Sequence, residues 1–263
     1  MMSSIGISKH EGAGNDFLLM VDLDDRVGLQ ANEVRWLADR HRGIGADGVI
    51  TITAGSGGGD LTMRLANQDG SPAEISGNGL RCVVHEAVRS GLVAAGGFSV
   101  MTGAGLRRVA CEEPIGRTAM TQVGMGIVTV QALDHEARRG LVDVGNPHLV
   151  IVVDDLATVD VANDGERLQG ERTGGINVEW ITLAEDGSMD LLVYERGVGP
   201  TLACGSGSCA AVATAQALGL TEGLVQVRNP GGPLTVAIDG DAATLSGPVS
   251  HIADLIVPLE RVL

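Results

Sequence analysis

Slid against itself by 128 residues, the chain repeats. Ser76-Gly77-Asn78-Gly79 falls on Cys204-Gly205-Ser206-Gly207, and Val84, Ala87, Gly91 and Leu92 meet Val212, Ala215, Gly219 and Leu220. At a shift of 131, Gly14 and Asn15 meet Gly145 and Asn146, and Leu18 and Val21 meet Leu149 and Val152. Two matches at nearly one offset imply two halves of one architecture. Each half holds a strand, a Gly-x-Gly turn and a helix whose start carries the chemically interesting residue.

Short apolar runs separated by Gly, Asp and Asn read as strands: Phe17 to Val21, Gly48 to Ile52, Leu61 to Leu65, Leu149 to Val153, Val178 to Leu183, Met189 to Tyr194 and Leu234 to Ile238. Helices are expected over Glu33 to Arg42, Leu80 to Ser90 and Ser208 to Leu218. The third is small and apolar nearly all round, which suits a helix enclosed by a curved sheet. The strand excess predicts a mixed α/β (α+β) fold with largely antiparallel sheets. The stretches Ala54 to Gly59 and Gly165 to Gly175 read as loops, and the domain boundary is expected near Glu113 to Val123.

Composition removes whole classes of function. The formal charge of -15 and only five aromatic residues leave neither a basic surface for a phosphate backbone nor stacking platforms, so nucleic acid is not an expected partner. No apolar run approaches the ~18 residues of a membrane span, and no basic segment leads into a hydrophobic one near Met1. The expectation is a soluble, cytoplasmic protein with no membrane partner. Lysine occurs once, as Lys9, so a Schiff-base cofactor has a single candidate anchor and pyridoxal phosphate is not expected. Cys82, Cys111, Cys204 and Cys209 form no CxxC pair and the six histidines form no metal-binding spacing, so no metal is expected either.

Glycine, at 39 residues, is about twice its usual share of roughly 7%, and its placement in the two turns is informative. A helix N-terminus presents unpaired N–H groups and partial positive charge, and glycines let an anion approach the backbone. A cysteine placed there, as Cys204 is, is expected to have a lowered pKa and a reactive thiolate. Two such turns suit proton transfer at an α-carbon: one group abstracts, the other returns a proton to the opposite face, and backbone donors stabilise charge on the carboxylate. On the residues alone, Cys204 is also compatible with an inert buried thiol, Asn15, Asn67, Asn78, Asn146 and Asn177 with turn formers, Glu195-Arg196 with a surface pair and His148 with a satisfied loop histidine.

Seven stretches in order resemble the diaminopimelate epimerase family: Gly12-Ala-Gly-Asn-Asp-Phe17, Arg42-Gly-Ile-Gly-Ala-Asp47, Asn67-Gln-Asp-Gly70, Glu74-Ile-Ser-Gly-Asn-Gly-Leu-Arg-Cys82, Gly145-Asn-Pro-His148, Ile176-Asn-Val178, and the run from Glu195 to Cys209. The resemblance implies two pseudo-symmetric domains, residues 1–118 with 250–263 and residues 119–249, each a curved, mostly antiparallel sheet around a central helix. It implies cofactor-independent interconversion of LL- and meso-diaminopimelate by a two-base mechanism, in a homodimer acting on a small molecule. One catalytic cysteine of the family maps onto Cys204; the other position is Ser76. Substrate-binding roles map onto Asn15, Asn67, Gly77, Asn78, Asn146, Asn177, Glu195, Arg196, Gly205 and Ser206, and His148 and Glu195 match positions that tune the catalytic thiols.

The serine leaves several readings open. It is compatible with a working Ser/Cys epimerase, with an engineered cysteine-to-serine form, and with a relative that binds a diamino acid without turnover. The proline-racemase and hydroxyproline-epimerase group is a further alternative, although it usually has Cys-Gly-His-Gly where this chain has Ser76-Gly77-Asn78-Gly79.

Overall fold

A computed structural model describes residues 4–258; the outermost parts of the expected first domain, residues 1–3 and 259–263, lie outside the described residues. The chain divides into two compact units, one of residues up to Val123 and from Pro248 onward, the other Gly124–Gly247. Strands dominate both, as the turn-punctuated apolar runs predict.

In the first unit the order is β1 (Ser4–Gly12), β2 (Asn15–Val21), α1 (Ala31–Ala38), β3 (Gly48–Ala54), β4 (Leu61–Asn67), the short β5 (Pro72–Ala73), α2 (Gly77–Arg89), β6 (Gly96–Thr102), β7 (Gly105–Cys111) and β8 (Thr118–Ile127). The second repeats it. After β9 (Thr129–Asp134) come β10 (Arg139–Asp143), β11 (Pro147–Val152), α3 (Val161–Gly170), β12 (Asn177–Leu183), β13 (Met189–Glu195), the short β14 (Gly199–Thr201), α4 (Gly205–Ala217), β15 (Val225–Asn229), β16 (Gly232–Asp239) and β17 (Ala242–Pro258).

The pairings repeat as well. β1 and β2 are antiparallel, β2 and β3 parallel, β3 and β4 antiparallel, β4 and β6 parallel, β6 and β7 antiparallel. The second unit follows the same rule through β10, β11, β12, β13, β15 and β16. In the first unit the pairings close on themselves, because β7 pairs with β8, β8 with β17 and β17 with β1. A curved sheet closed this way leaves no free edge and encloses its central helix. Accordingly α2 packs on β1, β2, β3, β4 and β7, and α4 on β9 to β13 and β16. The buried faces of both helices, from Leu80 to Ala87 and from Cys209 to Ala215, supply much of each core.

The turns explain part of the glycine excess. Ala13 and Gly14, with φ of 55° and 78°, make the two-residue turn from β1 to β2, a conformation favouring glycine, and Gly145 at φ 87° occupies the matching turn before β11. One expectation fails in part: of Gly165 to Gly175 only residues 171–175 form a turn, since α3 runs through Val161–Gly170 with Asp160 accepting from the Asn163 N–H at 3.2 Å. Gly165 belongs there because a Cβ on it would lie 2.3 Å from the Tyr194 ring, so the helix packs on the sheet only without a side chain at that point. No described helix is long and apolar enough to cross a membrane.

Candidate active site

Both Gly-x-Gly turns become the first turns of the central helices, and the residues before them become caps. Ser76 takes extended backbone at φ -131° and ψ 125°, and its Oγ accepts the Gly79 N–H at 3.1 Å. Cys204 does the same at φ -126° and ψ 117°, its Sγ accepting the Gly207 N–H at 3.3 Å. Gly77 and Gly205 open the two helices, each followed by a polar residue, Asn78 and Ser206. The duplicated frame thus puts a hydroxyl and a thiol at one equivalent position, each satisfying an otherwise unpaired helix donor.

Around Cys204 the second unit gathers ionisable groups. His148 on β11 is wholly buried, with Nδ1 2.6 Å from Glu179 Oε1 and Nε2 3.0 Å from Asn146 Oδ1. Glu195, at the end of β13, accepts from Thr201 Oγ1 at 2.5 Å, and burial pushes its carboxyl above the ordinary value. Burial also pushes the Cys204 thiol well up, reinforced by the carboxylates of Glu195 and Glu179, against the opposing pull of the Ser206 hydroxyl and the Gly207 N–H. The expected thiolate is therefore corrected: the helix end is present, but desolvation and two neighbouring acids outweigh it, so the group is a thiol at neutral pH. Asn177 donates Nδ2–H to the Pro147 carbonyl at 3.1 Å and accepts the Arg196 N–H at 2.9 Å, fixing the start of the exposed Arg196 loop.

The first unit builds its turn differently. Asn15 Nδ2–H donates to Asp47 at 2.5 Å, and Arg40 holds both Asp16 and Asp47, at 2.6 and 2.7 Å. Lys9, the lone lysine, is committed to this cluster through Asp16 at 2.9 Å and the Gly45 carbonyl at 2.7 Å. Asn78 Oδ1 accepts from the wholly buried Arg81 at 2.8 Å, and the other Arg81 nitrogen bonds the Pro248 carbonyl at 2.8 Å. Asn67, exposed at the end of β4, donates to Ser71 Oγ at 3.1 Å. Cys82 and Cys209 are buried inside their helices, where desolvation pushes both thiols up to about 12. Cys111, likewise, is pushed up to about 11.

Glu179, Asp47, Arg81 and Thr201 were not singled out by sequence. The signal for Glu179 was available: it is the one charge in the apolar run Val178 to Leu183.

A duplicated α+β frame whose two enclosed helices are capped by proton-bearing side chains defines an epimerase-fold protein. The hydroxyproline epimerase of Agrobacterium vitis shares that fold, with a TM-score of 0.76 at 17% identity, over 99% of this chain and 94% of its own. The chain belongs to the diaminopimelate epimerase family, whose pattern matches residues 7–130 and 140–252. Diaminopimelate epimerase of Corynebacterium glutamicum is 38% identical over 271 residues, covering 96% of this chain and 98% of its own length. That of Rhodococcus opacus is 37% identical over 273 residues, covering 94% of each.

Proposed function

We propose that the protein interconverts LL- and meso-diaminopimelate without a cofactor, in lysine biosynthesis, with Cys204 and Ser76 as the two proton-transfer groups, one for each face of the α-carbon. The observation that carries this reading is the shared cap position: side chains able to hold a proton stand at the same point of both repeats, on helix ends whose N–H groups suit a carboxylate. Breaking the α C–H bond sends its electron pair into the substrate carboxylate, and the donors at Gly77, Asn78, Gly205 and Ser206 stabilise that charge. Glu195 faces Cys204 and takes the thiol proton, and the resulting thiolate accepts the α-proton. Ser76 then supplies its hydroxyl proton to the opposite face, and solvent returns a proton to Ser76 and accepts the one held by Glu195. A serine hydroxyl ionises far less readily than a thiol, so the proton transfer at Ser76 is the slow step and turnover is slow in both directions.

Asn15, Asn67, Asn146, Asn177 and Arg196 bind the zwitterionic substrate, Arg196 by its affinity for carboxylate. His148 tunes the thiol from behind the first turn of α4. Family likeness supports a cytoplasmic homodimer.

The test is α-proton exchange in D2O followed by NMR with LL- and meso-diaminopimelate, with hydroxyproline as the competing substrate. Exchange with interconversion is expected, falling on the order of 10²–10⁴-fold in Cys204→Ala and rising in Ser76→Cys. No exchange even in Ser76→Cys, or turnover of hydroxyproline instead, overturns the assignment.

A further inference from the structure

The two repeats place different side chains beneath the first turns of their central helices. In the first unit, a Cβ at Gly79 would lie 3.1 Å from Ile50 Cδ1 and 3.3 Å from Phe17 Cζ. In the second, a Cβ at Gly207 would lie 2.6 Å from Glu179 Oε1 and 3.2 Å from the Cβ of Cys204. Strand register makes the correspondence firm: Phe17 pairs with Gly48 across β2 and β3 as His148 pairs with Asn177 across β11 and β12, and Ile50 and Glu179 each follow two residues later. An apolar Phe/Ile floor in one repeat is thus a His/Glu floor in the other. The His/Glu floor lies under the Cys204 cap and the Phe/Ile floor under the Ser76 cap.

We propose that Glu179 is the positioning residue of the thiol half, holding the His148 ring through its carboxylate beneath the first turn of α4. The proposal rests on the reading of Cys204 as a proton-transfer group.

Both ring nitrogens of His148 face oxygens, Glu179 Oε1 at 2.6 Å and Asn146 Oδ1 at 3.0 Å. A ring N–H at Nδ1 donates to the Glu179 carboxylate, and the Asn146 amide, which can offer an acceptor or a donor, engages the other ring nitrogen, so both contacts fix the ring orientation. Glu179 is wholly buried, its Oε2 has no hydrogen-bond partner among the described residues, and its Oε1 lies against His148. Burying this polar pair is costly compared with the Phe/Ile pair of the other repeat, which makes a purely structural role a poor account of the exchange. The ionisable groups facing the pair are Glu195 from β13 and Cys204 at the cap of α4, both of which become anionic on losing a proton. A ring and carboxylate fixed beside them hold the cap of α4 in place while Cys204 works. The hydrogen-bonded chain from Glu179 through His148 to Asn146 also fixes the turn before β11.

The test is turnover. In Glu179→Gln kcat for α-proton exchange is expected to fall at least tenfold while KM changes less than threefold. The double variant His148→Phe/Glu179→Ile writes the first repeat's own packing into the second. It is expected to keep the native circular dichroism and lose exchange, and it decides the matter should Glu179→Gln fail to fold. Full kcat in either variant overturns the proposal. Persisting exchange in Cys204→Ala would instead overturn the parent reading and leave the packing of Glu179 on His148 standing.

Discussion

Ser76 and Cys204 each do two jobs, and the jobs can be separated by substitution. As a cap, Ser76 Oγ satisfies the Gly79 N–H. Ser76→Ala is expected to cost about 1 kcal/mol in denaturant unfolding and to abolish exchange at one face, whereas Ser76→Cys keeps an acceptor for the same N–H and gains activity. For Cys204 the informative neighbour is Glu195. Burial and the Glu195 and Glu179 carboxylates keep the thiol protonated, so thiolate chemistry rises only at alkaline pH. Glu195→Gln removes one of those negative charges, and the Cys204 alkylation rate, resolved by mass spectrometry, should reach its midpoint at lower pH than in the unaltered protein. An unchanged midpoint would exclude Glu195 as a determinant of thiol ionisation.

Helix α2 buries His, Arg and Glu side chains of a kind that α4 lacks. His85 lies with its ring edge-on to His10 at a centroid distance of 5.1 Å, and His10 stands 5.1 Å from His251. Glu86 bonds His10 at 3.0 Å and Arg89 at 2.7 Å, and Arg89 reaches Asp254 at 2.7 Å. Burial lowers both His10 and His85, the latter to about 4. The unfolded chain therefore binds protons that the folded one refuses: stability is full above about pH 6.5 and is lost as pH falls toward 4. Melting temperature should drop between pH 7 and pH 5, and His85→Leu, neutral throughout, should flatten that slope. Elements of this kind were only partly legible in sequence. Helices α2 and α4 begin at Gly77 and Gly205, three residues before the apolar pattern starts, because a glycine-rich first turn held by a side-chain cap has no apolar periodicity. Helix α1 ends at Ala38, short of Arg42, because Asp39 turns out of the helix and accepts the His41 and Arg42 N–H groups at 2.7 and 2.9 Å. The repeat put Ser76 and Cys204 at equivalent helix starts; it could not reveal the Glu179 contact, which depends on the parallel register of β11 with β12.

At the scale of the whole chain, β8 and β17 run unbroken across the division between the units. Unfolding is expected to be one transition. Each unit has its own reporter, Trp36 packed on the core of Val34 and Leu37, and Trp180 packed with Ile176 and Val178. Leu245, wholly buried on β17 opposite Val236 in the second unit, offers the perturbation: Leu245→Ala should cost about 2–5 kcal/mol and shift the Trp36 and Trp180 fluorescence transitions equally. Separate shifts would show that the units unfold independently.

The unlike floors under the two capped helices also bear on how a duplicated chain could have drifted apart. If both halves began with the aromatic and aliphatic pair, a carboxylate arriving first would have been stranded beneath the helix with no ring N–H to answer it. An imidazole can be buried uncharged. The order of change with the shallower fitness valley is histidine before glutamate, and an ancestor carrying Glu179 without His148 should be the rarer fossil in any reconstructed lineage.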